Sequence, residues 1–413
     1  MISSLEKFFK KNNIMNYRII EHIITESNLT IKPENSFELT RNKHFFIIMF
    51  ANSMKVERVI LPLCEDSVAT DILQQLLVGE LFWTNTPIKF LFDCPNEHFE
   101  PNKLSHNCIK NYKVHLVNII NIFLNENAFE LIESSNQCVK HESIVYQGNG
   151  SFKQVHFEYS SMIHVINDKA EDKFIFGKAN TIEKLVKIFN HNEGNLPPAE
   201  SITSKTKLRG IIVIPSSIME LIYTMLINAL FGQLINAGRS FIKAENFQNL
   251  LFSPYLTIKD DPYHYLYQDV HFDAEGSLLN NKYLIKEGVL LGCCNDLESA
   301  SVLNLTAGNL FYDYNKNISM VQATTLVIET HKIIESNMVD IYIEGIYNGH
   351  FDMNIITGIL STSLYGIEIN TGHRYEYTLN ISLIDLLKSI IGGYGPIRQN
   401  PKFIMRDSVI NFK

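Results

Sequence analysis

The sequence has no excess of basic residues. Its 413 residues include 36 Lys and Arg against 44 Asp and Glu, which gives a formal net charge of −8 at pH 7. Proteins that bind nucleic acid through its phosphates need a concentrated basic face. The charge balance therefore excludes nucleic acid as a main partner, and we expect an ordinary anionic surface.

Cysteine and histidine are present, but they lack metal-binding spacing. The six cysteines fall at no C-x-x-C interval, and we interpret them as small, buried, reduced residues: Cys64, Cys94, Cys108, Cys138, Cys293 and Cys294. Among the 14 histidines, the nearest approaches to a metal-binding His/Glu pair are His98-Phe99-Glu100, His141-Glu142 and His191-Asn192-Glu193. None of these three has a second histidine four or five residues further on, so the sequence predicts no metal and no cofactor in this chain.

The chain also lacks a secretory signal, an internal repeat and a heptad series. Its first residues, MISSLEKFFKKNN, contain no continuous apolar core and no small-residue cleavage site, which predicts a cytoplasmic protein. The composition, with 46% hydrophobic and 19% charged residues, is that of a globular protein with a substantial core.

The most apolar part of the sequence lies between Arg209 and Asn236. It begins with a short apolar run, Ile211–Ile214, which predicts a buried strand. Ser217 stands three residues before Glu220, and this spacing predicts a capping box at the start of a helix. We expect that helix to continue to about Asn236, with Gly238 as its stop.

This central helix is apolar on all sides from Ile218 to Ile235. Such a helix either crosses a membrane or is buried in a large domain. Three amides, at Asn228, Gln233 and Asn236, interrupt or follow the apolar run, and no basic cluster flanks it. These features favour a buried central helix and no membrane association.

Several short segments follow one another in a characteristic order from the central helix onward. They are Leu230-Phe231-Gly232-Gln233-Leu234, Asp260-Asp261-Pro262, Phe272-Asp273-Ala274-Glu275-Gly276, Ile285-Lys286-Glu287-Gly288-Val289-Leu290 and Thr306-Ala307-Gly308-Asn309. In this order and spacing the chain resembles the TldD/PmbA family, once called modulators of DNA gyrase. The resemblance is closest from Leu208 to Lys413 and looser in the N-terminal half.

The resemblance implies which type of family member this is. TldD-type members carry H-E-x-x-x-H on the central helix and are zinc peptidases, whereas TldE (PmbA) types lack the motif and pair with a TldD type. The motif positions here hold Asn228, Ala229 and Gln233. An amide is a poor zinc ligand and alanine cannot act as a general base, so the chain is similar to the TldE type. The cysteine-containing C-terminal segment of catalytic relatives is also missing, since Gly395–Pro401 contains no cysteine.

By this resemblance the chain is the non-catalytic subunit of a heterodimeric zinc metallopeptidase. A TldD-like partner would hold the zinc, and the complex would cleave unfolded or precursor peptides. Two alternatives remain at this point. The chain could be a self-sufficient homodimeric peptide-binding module, or an enzyme of another class that uses Asp273 and Glu275.

The pattern of elements predicts an α+β protein with two domains. We expect a mixed N-terminal domain over residues 1–200 and a strand-rich C-terminal domain around the central helix over residues 201–413, with the junction in the polar stretch His191–Lys207. Helical spacing predicts an opening helix over residues 4–28. A second prediction is a short helix at Leu383–Ile391, which Gly392-Gly393 would stop.

Two further features have specific interpretations. Asp273 and Glu275 would share one face of a strand, where they could serve acid–base chemistry or a cation, although a role in capping the turn before Gly276 is favoured. Gly232 lies inside the predicted helix, where glycine costs about 1 kcal/mol relative to alanine. We therefore expect a close backbone approach there, by a neighbouring strand.

Overall fold

The structure is a computed structural model. It describes residues 1–12, 14, 17–32, 36–52, 55–62, 66–78, 117, 120, 121, 124, 129–147, 150–167, 172–179, 205–206, 208–264, 270–313, 318–400 and 402–412. The predicted junction at His191–Lys207 lies outside the described residues, apart from residues 205–206. The predicted boundary between residues 200 and 201 also falls outside them and stays a prediction.

The chain forms two compact units. One consists of Met1–Asn195 together with His264–Leu278, and the other of Leu196–Tyr263 together with Leu279–Lys413. The described elements of the first unit are α1 (Ile2–Lys11), β1 (Tyr17–Ile31), β2 (Ser36–Asn52), β3 (Lys55–Pro62), α2 (Asp66–Val78), β4 (Phe129–Gln147), β5 (Gly150–Asn167) and β6 (Asp172–Ala179).

The described elements of the second unit are more numerous. They are β7 (Lys205–Thr206), β8 (Gly210–Ile214), α3 (Ser216–Ala229), α4 (Gly232–Asn236), β9 (Leu256–Asp260), β10 (Lys282–Lys286), β11 (Val289–Leu290), α5 (Leu297–Leu303), β12 (Leu310–Asp313), β13 (Ile318–Val321), β14 (Leu326–Thr330), β15 (Ile341–Asn354), β16 (Ile359–Glu368), β17 (Arg374–Ser382), α6 (Leu383–Lys388), β18 (Ile390–Gln399) and β19 (Phe403–Phe412).

The first unit is built on an antiparallel sheet in the order β3-β2-β1-β4-β5-β6. The predicted opening helix over residues 4–28 is wrong in its second half, because only Ile2–Lys11 is helical and β1 starts at Tyr17. This stretch is rich in isoleucine and threonine, which favour strands. It pairs along its length with both β2 and β4, and these long-range pairs override the local helical spacing.

The second unit contains the strand-rich region that the sequence predicts. Its large sheet has the order β11-β10-β9-β14-β19-β8-β15-β16-β17-β7, and β18 pairs with β19. The central strand β8 lies between β15, to which it is parallel, and β19, to which it is antiparallel. The chain contains both helices and strands, and its core is built on sheets, which confirms the predicted α+β class.

One predicted turn in this unit is a strand instead. Gly392-Gly393 lies within β18 rather than stopping α6, which ends at Lys388. An added Cβ at Gly392 would lie 2.6 Å from the Lys332 carbonyl oxygen. Glycine is therefore required at this position by the close approach of another backbone segment.

Candidate functional site

The central helix is broken in the middle. The predicted single helix from Ser217 to Asn236 is wrong, because α3 ends at Ala229 and α4 starts at Gly232. At the break the backbone pairs with Cys294 instead of continuing the helical pattern. The Cys294 amide donates to the Leu230 carbonyl oxygen at 2.9 Å, and the Gly232 amide donates to the Cys294 carbonyl oxygen at 2.9 Å.

The N-terminus of α3 is capped by a residue from another part of the chain. The predicted capping box is wrong: the N-cap is Pro215, which offers no side-chain hydrogen bond. The Ser216 amide donates instead to Oδ1 of Asp407 at 2.7 Å, and Asp407 is buried. Glu220 accepts a hydrogen bond from Asn400 Nδ2 at 2.7 Å. The negative charge of Asp407 also lies at the positive end of the helix dipole.

The C-terminal stop of the central helix is confirmed. Gly238 has a φ of +65°, a conformation that glycine adopts without strain. The Arg239 amide donates to the Leu234 carbonyl oxygen, and the Gly238 amide donates to that of Ile235. This pair of hydrogen bonds is a Schellman motif, which satisfies the last carbonyl groups of the helix.

The central helix is not buried on every side, contrary to the prediction. One face packs into the core of the unit and includes Ile222, Tyr223 and Leu226. The opposite face is open to solvent at Thr224 and at Leu221, whose exposed fraction is 43%. Among the described residues, no helix is long and apolar enough to span a bilayer.

The residues at the three degenerate motif positions pack against other protein groups or form hydrogen bonds with them. Ala229 is fully buried, and its carbonyl oxygen accepts a hydrogen bond from Ser240 Oγ at 2.7 Å. Gln233 donates from Nε2 to Oδ2 of Asp296 at 2.5 Å. Asn228, the last but one residue of α3, is partly buried.

These residues do not fit a zinc ion. Zinc sites use imidazole, thiolate or carboxylate ligands, whereas Asn228 and Gln233 offer amides and Ala229 offers no donor. The amide nitrogen of Gln233 is moreover directed at a carboxylate as a hydrogen-bond donor. Over the part of the chain that the structure describes, no three His, Cys, Asp or Glu side chains converge as a metal-binding group.

Gly232 lies at a close approach, as the sequence predicts, but the neighbour is different. An added Cβ would lie 1.9 Å from Asn295 Oδ1 and 2.8 Å from Ser299 Oγ. Ser299 belongs to α5, and Asn295 lies just before that helix. The expectation of a neighbouring strand is therefore wrong, and α4 packs against the start of another helix.

A buried polar network lies beside α4 and was not foreseen from the sequence. Asn309 donates from Nδ2 to Oδ2 of Asp260 at 2.7 Å, and its Oδ1 accepts a hydrogen bond from Lys282 Nζ. The same Oδ1 accepts from the Asn295 amide at 3.2 Å. Asp260 also caps the backbone at Thr324, whose amide donates to Oδ1 at 2.7 Å. Asp260 and Asn309 thus connect the chain segments that contain Asn295 and Thr324.

Asp273 and Glu275 lie in a turn, not on one face of a strand. Asp273 Oδ1 accepts hydrogen bonds from the amides of Glu275 and Ser277, each at 2.9 Å. The Gly276 amide donates to the Asp273 carbonyl oxygen, and Gly276 has a φ of +70°. The geometry of Asp273 is that of the favoured turn-capping interpretation.

The two adjacent cysteines are deeply buried free thiols. Burial raises the pKa of the Cys293 thiol to about 12 and that of the Cys294 thiol well above its usual value. A thiol with such a pKa is protonated and unreactive near neutral pH. These cysteines have the environment expected of packing residues.

The chain is an α+β protein built from two compact units. Residues 208–405 match the family described as the PmbA/TldA metallopeptidase C-terminal domain. This match confirms the resemblance to the TldD/PmbA family over residues 208–405. No curated protein sequence matches the chain significantly.

Solved structures extend the fold similarity to the whole chain. TldE from Thermococcus kodakarensis is 14% identical with a TM-score of 0.71, covering 99% of this chain and 98% of that one. A protein assigned as a modulator of a DNA gyrase from Thermotoga maritima is 15% identical with a TM-score of 0.71, covering 99% and 98%. Another, from Bacteroides thetaiotaomicron, is 13% identical with a TM-score of 0.65, covering 99% and 96%. The predicted fold class is confirmed.

Proposed function

We propose that this chain is the non-catalytic, TldE-type subunit of a heterodimeric zinc metallopeptidase that cleaves unfolded or precursor peptides. The supporting observation is the state of the central helix at Asn228, Ala229 and Gln233. These positions hold no zinc ligand and no general base, and Gln233 is engaged with Asp296. A solved structure with this fold is a TldE.

The chemistry that this chain lacks would come from a TldD-type partner. Zinc-dependent hydrolysis requires a metal-bound water and a carboxylate base beside it. Both would be held by the partner's H-E-x-x-x-H helix. The role of this chain is then to associate with that partner and to complete the peptide-binding assembly, in a cytoplasmic complex.

Co-expression with a TldD-type protein from the same genome tests this proposal. We expect a heterodimer by native mass spectrometry, one zinc per heterodimer by elemental analysis, and cleavage of an unfolded peptide only when both chains are present. Replacing the partner's motif glutamate by glutamine should abolish cleavage. One tightly bound zinc in this chain alone would contradict the proposal, as would exclusive homodimers in the presence of the partner.

Variants of this chain sharpen the test. Asn228→Ala and Gln233→Ala should leave the cleavage rate of the heterodimer within about twofold, because neither amide takes part in chemistry. Loss of cleavage in either variant, with association intact, would show that these amides act on the substrate.

Restoring the motif should not create a peptidase. In the triple variant Asn228→His, Ala229→Glu and Gln233→His, the new glutamate would occupy a fully buried alanine site without a partner for its charge. Ligand histidines also need supporting hydrogen bonds that this helix does not supply. We expect no zinc-dependent cleavage by the triple variant alone, and cleavage by it would show that a latent zinc site survives.

A further inference from the structure

A segment from the second half of the sequence is part of the first compact unit. Val270–Leu278, called the strap below, follows Asp260-Asp261-Pro262 in the chain, yet it groups with residues 1–195. Val270, Phe272 and Ala274 in the strap are buried, as are Asp273 and Glu275. The strap therefore completes the first unit instead of lying on its surface.

The strap is held by side chains that project from one face of the N-terminal sheet. Gln154 on β5 donates from Nε2 to the Phe272 carbonyl oxygen at 3.0 Å, and its Oε1 accepts from the amides of His271 and Phe272 at 2.9 and 3.2 Å. Arg18 on β1 donates from Nη1 to the Glu275 carbonyl oxygen at 2.6 Å. Both side chains bind the backbone of the strap.

A buried histidine lies between these two attachments. His22 on β1 is in register with Ser143 on β4, which is in register with Gln154 on β5. The His22 ring stacks on Phe45 with a centroid distance of 5.0 Å, and its Nδ1 is 2.8 Å from Ser143 Oγ. Only 3% of His22 is exposed, and its Nε2 makes no hydrogen bond within 3.5 Å.

Other ionisable groups share this face, as the strand register shows. Within four residues of His22 along the strands they are Arg18 and Glu26 on β1, Arg41 and Lys43 on β2, His141 on β4, and His156 and Glu158 on β5. The strap itself carries His271, Asp273 and Glu275. His141 and His156 stack on each other at 4.4 Å. The Asp273 carboxylate accepts hydrogen bonds from the strap's own amides, and no carboxylate of the described residues contributes to the pKa shift of His22.

We propose that the strap is an acid-sensitive clasp, which the buried His22 ring keeps closed only while that ring is neutral. A charged imidazole at this site would lose its hydration and gain no counter-ion. Opening the strap would return the ring to water. Acidification therefore favours the open form.

The direction and size of the pH effect on strap opening follow from proton linkage. Burial lowers the pKa of His22 from 6.5 to about 4. A weaker interaction of the ring with the backbone of Ala274 acts in the opposite direction and raises this pKa. The neutral His22 ring thus makes its full contribution to the stability of the closed form above pH 6.5. This contribution is lost as the pH falls towards 4. If opening restores the pKa of 6.5, the opening equilibrium constant increases about 30-fold between pH 7.5 and pH 5.0.

Hydrogen exchange of the full-length chain tests the clasp. Exchange of peptides covering the strap is measured at pH 7.5, 6.5, 5.5 and 5.0 and corrected for the intrinsic pH dependence of exchange. We expect strap protection to fall about 30-fold over this range, while peptides from Ile211–Ile214 and Phe403–Phe412 keep their protection. An equal loss in all peptides would indicate global unfolding and overturn the proposal.

Two matched histidine variants show whether His22 causes the pH dependence of strap protection. His22→Gln should flatten the pH dependence, because glutamine cannot gain a proton. His44→Gln changes a histidine on the other face of the same sheet, where it lies 2.7 Å from Glu21 Oε1, and should leave the dependence unchanged. Strap protection that still falls about 30-fold in His22→Gln would overturn the proposal.

A direct titration covers the case in which His22→Gln does not fold. Labelled-histidine NMR of the wild-type chain reports the midpoint of each ring. We expect one histidine, assigned to His22 by its nuclear Overhauser contact with the Phe45 ring on which it stacks, to remain neutral well below pH 6. Titration of every histidine at about 6.5 or above would overturn the proposal.

Discussion

Gly232→Ala is the substitution whose consequence the structure specifies most directly. The new Cβ would lie 1.9 Å from Asn295 Oδ1, so Asn295 would have to move. Asn295 is fully buried, and its Nδ2 donates to the carbonyl oxygens of Cys293 and Thr306 at 3.3 and 3.2 Å. The backbone at Gly232 has no positive φ, and steric overlap is therefore the dominant effect.

The expected magnitude combines three effects. Overpacking a tight site costs about 1–3 kcal/mol. Disturbing the hydrogen bonds of Asn295 adds about 1 kcal/mol for each bond lost. The preference for alanine over glycine is about 1 kcal/mol in a helix interior and less at Gly232, the first residue of α4, so it offsets only a small part of this cost. We expect Gly232→Ala to lower the free energy of unfolding by about 2–3 kcal/mol, and Gly232→Leu to lower it further.

Urea unfolding followed by circular dichroism measures this change, with Gly238→Ala as the matched control. Gly238 has a φ of +65° and nothing within 4 Å of an added Cβ, so its substitution tests backbone strain alone, at about 1 kcal/mol. In an Asn295→Ala background, Gly232→Ala should destabilise the chain less than it does in the wild type, because only the contact with Ser299 at 2.8 Å remains. A Gly232→Ala variant as stable as the wild type would refute the steric argument.

Two other predictions concern buried groups. Asp407→Ala removes the cap at the Ser216 amide and should destabilise the chain by about 1 kcal/mol, with a smaller effect for Asp407→Asn, as measured by thermal unfolding; an unchanged midpoint in Asp407→Ala would show that the cap adds nothing. Because burial raises the pKa of Cys293 to about 12 and that of Cys294 still more, neither thiol should be alkylated in the native chain at pH 8. Mass spectrometry should find both modified after denaturation, and rapid native modification of either would contradict the assigned burial.

Several elements could be predicted from the sequence because local pattern alone specifies them. The run Ile211–Ile214 is a strand, and Gly238 ends the central helix. Short apolar runs bounded by glycine or proline have few alternatives in a folded domain. The sequence also shows which residues occupy the motif positions, namely Asn228, Ala229 and Gln233. These residues are the reason for the predicted similarity to the TldE type.

Other features depended on residues far away in the chain, and only the tertiary structure decided them. The helix cap comes from Asp407, 191 residues after Ser216, and the partner of Gln233 is Asp296, 63 residues later. The break at Leu230 follows from backbone pairing with Cys294, and β1 is a strand because β2 and β4 flank it. Local spacing carries no information about such partners, and their hydrogen bonds outweigh propensities of a few tenths of a kcal/mol per residue. The sequence by itself determined the resemblance to the family and the side chains at the motif positions, whereas the packing of the chain determined which contacts those side chains make.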